Sequence, residues 1–309
     1  MKDTIFATLN TRGCSVGLRR SQVLSFLREG GYSVIFLQET HTAPAVEASW
    51  WLESGDEVYF SHLGARSAAV ATLFSPKLRP EVLGVAEVVP GRLLHVRACV
   101  EGLRLNLVSV YAPNAGPEQV RFYRQASAFL GTLDPHECLV LGGDFNTTLE
   151  ERDRSGVETS QAAVGVLREI VDHHSLVDIW CDHHPDDDVT FTYVRVEGDR
   201  SCHSRLYRIY ISRFHLARAY ASGIRPAPFS DHHLVTVTAS LSPGGPSSPE
   251  RFCSIPHPPP SGDGSQLLLL LCPGEKEGGQ KAHHLAPGRG WDPPHGSGGD
   301  AWKGQGLVH

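Results

Sequence analysis

An α/β sandwich is the architecture this sequence predicts, on three observations. Short β-rich runs recur between Thr4 and Leu241, helical patterns separate some of them, and polar residues collect where apolar runs stop. Strands and helices in this mixture bury their apolar faces by stacking in layers, which favours sheets covered by helices.

The strands come first. TIFATLN, SVIFLQE, AAVATLF, LLHVRACV, RLNLVSVYAP, CLVLGGDF, DVTFTYVRV, RLYRIYIS and LVTVTASL all read as β. Three helices fit between them. RRSQVLSFLREG puts Val23, Leu24 and Leu27 on one face and takes Gly30 as its stop. PEQVRFYRQASAFLGTL opens on a proline, suited to a first helical turn, and carries Val120, Tyr123 and Phe129 at helical spacing. SQAAVGVLREIVDHHSL repeats the pattern with Val164, Leu167 and Val171.

These elements define one domain over residues 1–241. From Ser242 the composition breaks: residues 242–309 hold 14 of the 31 glycines and 11 of the 21 prolines. Such a segment has too little apolar surface to offset its ordering entropy, so a disordered tail is expected. Its QLLLLL run offers at most a short helix, and LLLLLC falls far below the roughly 20 residues a membrane span needs. The N-terminal MKDTIFATLN has too short an apolar run for a signal peptide. Seven cysteines, odd in number and without a C-x-x-C pair, read as buried free thiols in a reducing compartment. A soluble intracellular protein is expected, with no membrane contact and no obligate protein partner.

The formal charge of −6 excludes a global basic field, so any polyanion site must be local or assisted by metal. Lys2 and Lys77 are the only lysines before residue 242; the basic residues there are mostly arginine, whose planar fork suits phosphate oxygens.

Chemistry gathers at strand ends. TIFATLN ends in Asn10, VIFLQE in Gln38 and Glu39, LVSVYAPN in Tyr111 and Asn114, and LVLGGDFN in Asp144 and Asn146; Asp231, His232 and His233 precede the last strand. Carboxylate and amide oxygens of this kind suit Mg²⁺ or Mn²⁺ rather than zinc. Asp144 is a candidate to take a proton from water, His232 to hold a phosphate or exchange a proton, and Asn146 to donate to a developing oxyanion. Phosphodiester hydrolysis fits that set. Taken singly, each residue has an ordinary role as a turn former, cap or half-buried aromatic. The doubled histidines 173/174 and 183/184 lack the i, i+4 spacing of a helical zinc site and read as surface polar residues.

In this order, TLNTRG, FLQETH, VYAPNAG, LGGDFNTTL, TFTYV, SRLYRIYIS and FSDHHLV resemble the endonuclease/exonuclease/phosphatase superfamily, over about residues 4–241. They look closest to the apurinic/apyrimidinic-type, exodeoxyribonuclease III-like endonuclease domain of LINE-type retrotransposons. The resemblance implies a four-layer α/β sandwich with its site at one end of two facing sheets. It also implies a Mg²⁺-dependent nuclease acting on double-stranded DNA, in a superfamily that includes DNA-repair enzymes, and hence a nuclear location. Glu39 matches the principal metal ligand, with Asn10 and Asp231 near the metal and Asp144, Asn146 and His232 completing its surroundings. Asp144 matches the residue that activates water, Asn146 the amide that steadies it, Tyr111 a phosphate-contacting tyrosine and His232 the histidine on the scissile phosphate. Asn114 fits a phosphate contact, Thr192 falls near a DNA-contacting segment, and Arg205 and Arg208 read as backbone contacts.

Two departures stand out. In SRLYRIYIS, Tyr207 replaces the aspartate that orients the histidine, and a neutral phenol lacks the carboxylate's stabilisation of imidazolium. Displacement of His232 and strong impairment are expected, with Tyr207→Asp nicking faster than the parent. The second departure is the Pro/Gly-rich tail where a retrotransposon polypeptide continues into a polymerase, which reads as a truncated or host-captured copy. Two other functions compete: a catalytically inactive DNA- or protein-binding remnant, and an inositol or lipid phosphodiesterase of the same superfamily.

Overall fold

The structure, a computed structural model, describes residues 3–55, 57–64, 69–155, 160–186, 190–197 and 200–242. The expected tail from residue 243 onward, with its QLLLLL run, Cys253 and Cys272, lies outside the described residues. The chain opens with β1 (Asp3–Asn10), α1 (Gly17–Gly30), β2 (Val34–Gln38), α2 (Glu47–Ser54), β3 (Glu57–His62) and β4 (Ala69–Phe74). It continues through β5 (Glu81–Val89), β6 (Leu93–Val100), β7 (Leu103–Tyr111), α3 (Gly116–Leu130), β8 (Cys138–Asp144) and α4 (Gln161–His173). Then come β9 (Leu176–Asp178), α5 (Ile179–His183), the hairpin strands β10 (Tyr193–Glu197) and β11 (Arg200–Ser204), β12 (Tyr207–Ser212), β13 (Ala219–Pro226) and β14 (His233–Ser240).

Two six-stranded mixed sheets carry the molecule, in the orders β13-β14-β1-β2-β4-β3 and β5-β6-β7-β8-β12-β9. The pairs β1–β2 and β7–β8 are parallel and the rest antiparallel. Between the sheets lies one apolar cluster, with Phe6, Val34, Phe36 and Val235 from the first and Leu107, Val140, Ile209 and Ile211 from the second. A second cluster joins Val108, Val110, Leu139 and Leu141 to Phe122, Tyr123 and Leu167 of α3 and α4. The third joins Ala7, Leu9, Ile35 and Leu37 to Val23, Leu24 and Leu27 of α1 and to Trp50 of α2. The order of layers is therefore helix, sheet, sheet, helix: the four-layer sandwich.

Local chemistry places the ends. Helix α1 runs through Gly30, and the stop is Gly31, whose φ of 68° is the left-handed conformation a helix C-cap favours. In α3 the proline sits in the first turn, where its missing N–H costs nothing. Ser160 caps α4 through a hydrogen bond from the Ala163 N–H. Of the DVTFTYVRV run, residues 193–196 enter the hairpin strand Tyr193–Glu197, residues 190–192 precede it, and Asp188 and Val189 lie outside the described residues. No helix among the described residues is long and apolar enough to cross a membrane.

Candidate active site

Strand parity decides which side chains meet. Side chains alternate across a strand, so residues two apart share a face. In β1, Ala7 and Leu9 pack toward α1 while Phe6 faces the other sheet, which carries Asn10 to the inter-sheet side. In β7, Leu105, Leu107 and Tyr111 share that side; in β8, Cys138 and Val140 do, followed at the same parity by Asp144. In β12 it is Tyr207, Ile209 and Ile211. Register completes the arrangement: Asp144 lies beside Tyr111 on one flank and Tyr207 on the other, and Asn10 beside Gln38.

Beyond Gln38 the chain turns sharply. Glu39 has φ 51°, a left-handed conformation costing a non-glycine residue about 1 kcal/mol. The turn delivers the Glu39 carboxylate to the site, where Oε1 accepts from Asn10 Nδ2 at 2.8 Å and from the Tyr111 hydroxyl at 2.9 Å. Asn10 Nδ2 also reaches Asp144 Oδ2 at 3.3 Å. The same oxygen accepts from the Tyr207 hydroxyl at 2.7 Å, and Asp144 Oδ1 takes the Asn146 backbone N–H at 3.0 Å. The Tyr207 oxygen lies 2.6 Å from His232 Nδ1. His232 Nε2 is 3.3 Å from Asp231 Oδ1, and Asp231 Oδ2 is paired with Arg12 at 2.6 Å. Tyr111, Glu39, Asn10, Asp144, Tyr207, His232, Asp231 and Arg12 thus form one unbroken polar chain across both sheets.

Asn146 is held from beneath. Its φ of 46° is one asparagine tolerates, and its side-chain amide donates to the Ala112 carbonyl at 2.7 Å. Gln119 Nε2 of α3 donates to the Asn146 carbonyl at 2.7 Å, and the Tyr123 hydroxyl bonds the Phe145 carbonyl and Thr147 Oγ1.

Burial sets the charges. Asp144 is 2% exposed, and that desolvation pushes its carboxyl up to about 6 against the opposing hydrogen bonds from Tyr207, Asn146 and Asn10. Desolvation likewise pushes the His232 imidazole well below its usual range, although Asp231 pulls the other way. The Tyr111 phenol is raised by burial and by Glu39.

Four residues named from sequence stand apart. Asn114 lies exposed in the loop before α3. Thr192 is buried, and its hydroxyl accepts the N–H groups of Leu206 and Tyr207. Arg205 is 3% exposed, and all three of its guanidinium nitrogens are spent on Asp153, Asp178 and Cys181, so it offers nothing to a phosphate. Arg208 is wholly buried against Asp153 and the Thr147 carbonyl, because its parity opposes that of Tyr207. The phenol of Tyr207 stays in contact with the histidine, its oxygen lying 2.6 Å from His232 Nδ1.

Three neighbours went unread. Arg12 holds Asp231, Tyr193 stacks on the His232 ring with centroids 4.8 Å apart, and the Arg92 guanidinium lies 5.0 Å from the Tyr111 ring centre. Arg12 and Tyr193 sit two residues and one residue from positions the sequence did mark, which was the available signal.

Among the described residues no three His, Cys, Asp or Glu side chains form a ready-made metal cage. Mg²⁺ does not require one, since it keeps several waters and takes one or two carboxylates. The donor set fits such an ion: Glu39 is partly exposed at the mouth, and Asp231 Oδ1 is buried without a hydrogen-bond partner. An orphaned acceptor of that kind is a place for a cation.

Two six-stranded mixed sheets stacked face to face, with polar groups at the mouth between them and helices outside, define a class of four-layer α/β sandwiches, and comparison with known proteins shows the family. Residues 7–232 match the model of the Endonuclease/Exonuclease/phosphatase family, and the chain belongs to that family. The "Transposon TX1 uncharacterized 149 kDa protein" of Xenopus laevis is 51% identical over 240 residues, covering 78% of this chain. This chain spans only 18% of that relative's length. An AP endonuclease from Archaeoglobus fulgidus superposes with a TM-score of 0.63 at 21% identity, covering 77% of this chain and all of that one. The endonuclease domain of TRAS1, a telomere-specific non-LTR retrotransposon, does so with a TM-score of 0.61 at 16% identity, covering 77% of this chain and 99% of its own. At these identities the structural likeness is one of fold.

Proposed function

We propose that residues 1–241 form a divalent-metal-dependent phosphodiester hydrolase that cuts one strand of double-stranded DNA, as an apurinic/apyrimidinic-type endonuclease of retrotransposon origin. The observation that carries this reading is the polar chain from Tyr111 to Asp231, which joins three carboxylates, an amide, two phenols and an imidazole through close polar contacts. Three neighbouring structures support the substrate: two are endonucleases, and a Neisseria 3′ phosphatase was captured with a product DNA hairpin. A nuclear location is part of this proposal, as the compartment in which a chromosomal DNA substrate would be met.

Glu39 would be the main ligand of Mg²⁺ or Mn²⁺, with Asn10, Asp144, Asn146, Asp231 and His232 around it. When bound, such an ion neutralises phosphate charge and polarises the phosphoryl oxygen. Asp144 takes the proton of the attacking water, and its hydrogen bonds from Asn10 and Tyr207 aim one oxygen while Asn146 N–H aims the other. Tyr111 presents its hydroxyl beside Glu39, and Asn146 and His232 flank the position of the phosphate. Asn114, exposed in the loop before α3, is left as a candidate outer phosphate contact.

Conversion of supercoiled plasmid to open circles, with and without Mg²⁺, tests the proposal. Nicking abolished by chelator and reduced at least about 100-fold by Asp144→Ala is the expected result, the scale of a lost general base. A second reading has its own support in neutral Tyr207 and in the guanidinium of Arg12 on Asp231: a binding remnant without turnover. Duplex binding with no Mg²⁺-dependent nicking would establish it instead.

A further inference from the structure

Tyr207 is wholly buried, and its hydroxyl is the only group that contacts both Asp144 and His232 among the hydrogen bonds of the described residues. We infer that Tyr207 is a positioning residue whose single hydroxyl ties Asp144 to His232, fixing both side chains at once. The inference rests on the nuclease reading above and deepens it, since a carboxylate at this position would orient the histidine alone.

The hydrogen-bond arithmetic leaves little freedom. An ionised Asp144 only accepts, so the phenol proton goes to Asp144 Oδ2. The phenol oxygen is then an acceptor, and the hydrogen on the 2.6 Å contact must be that of His232 Nδ1. His232 in this Nδ1–H form presents a bare Nε2 toward Asp231 Oδ1, 3.3 Å away, and that oxygen has no hydrogen-bond partner. The ring is fixed in orientation as well. Tyr193 stacks on it at an interplanar angle of 20°, and the Tyr207 ring meets it edge-on at 78°.

An aspartate at 207 would do this poorly. Residue 207 is the direct register partner of Asp144, so a second carboxylate would enter a buried site already holding one. The side chain would also be shorter by a phenyl ring, leaving a void where Tyr207 now packs. Tyr207→Asp is therefore a loss rather than the gain expected from sequence.

The test uses the full chain, with Tyr207→Phe to delete only the hydroxyl and Tyr207→Asp to restore the carboxylate. Plasmid nicking with Mg²⁺ is expected to fall about 10–100-fold in kcat for both variants with KM unchanged, the scale of a lost supporting contact. In ¹H–¹⁵N spectra of the metal-free protein, His232 should show the Nδ1–H tautomer in the parent and lose it in Tyr207→Phe, while circular dichroism stays native. Tyr207→Asp nicking faster than the parent, or a His232 spectrum unchanged by Tyr207→Phe, overturns the inference. A parent that does not nick refutes the nuclease reading, and the His232 spectrum alone then decides whether the tie exists.

Discussion

Arg12 is the residue whose placement most changes the chemistry of the site. It lies just past β1 with a left-handed φ of 50°, and its guanidinium reaches Asp231 although more than half its side chain is exposed. A cation already rests on a carboxylate proposed to face Mg²⁺, so the two compete for one oxygen pair. An ion pair this exposed is worth at most about 1 kcal/mol after screening. Arg12→Ala should accordingly tighten Mg²⁺ binding by up to about fivefold, read by calorimetric titration of the protein without DNA. A weaker or unchanged Mg²⁺ affinity would mean that Asp231 does not face the ion.

Elements explain why the acid of β8 sits where it does. A methyl on Gly143 would overlap the backbone of Val110 in β7, and one on Gly142 would overlap the Phe36 ring from the facing sheet. The two glycines let β7 and β8 pair closely and let Asp144 emerge between Tyr111 and Tyr207. Gly143→Ala should cost about 1–3 kcal/mol, read as a lower urea midpoint, because β7 must move to admit the new carbon. That much was legible in GGDFN, as were the strands around the site, because short apolar runs ending in polar residues survive in one dimension. Parity was legible too: in RLYRIYIS, Tyr207, Ile209 and Ile211 alternate with Arg208 and Tyr210, which is enough to send Arg208 away from the phosphate. Arg205 is a different matter. It precedes β12, so no alternation applies, and its partners Asp153 and Asp178 lie 52 and 27 residues away. Nor does sequence show that a phenol at 207 spans two partners, since the contact depends on β8 and β14 converging from different sheets.

At the scale of the whole molecule, Arg205 and Arg208, which the resemblance assigns to DNA backbone contacts, are instead buried in a network beneath the loop that carries Asn146. Asp153 is 1% exposed and pairs with Arg205 at 2.7 Å and Arg208 at 2.9 Å, while Arg208 also holds the Thr147 carbonyl next to Asn146. Burial alone would push the Asp153 carboxyl up, but Arg208 and Arg205 hold it well below the usual carboxylate range. Its folded-state pKa therefore lies beneath the roughly 3.9 of an unfolded chain, so the stability it contributes is complete above that value. That contribution drains away as pH falls toward the folded value, because protonation removes the charge facing two guanidiniums. Asp153→Asn makes the loss permanent. With Asp178 left as the single carboxylate facing the two buried guanidiniums, it should destabilise the protein by about 3–5 kcal/mol at pH 7, measured by urea unfolding. The parent's urea midpoint should also fall more steeply than the variant's between about pH 5 and pH 2, the interval over which only the parent still has this proton to gain. Parallel pH profiles would place the acid sensitivity elsewhere in the sandwich. Because the same network fixes the loop carrying Asn146, the variant should lose nicking activity at urea concentrations the parent withstands.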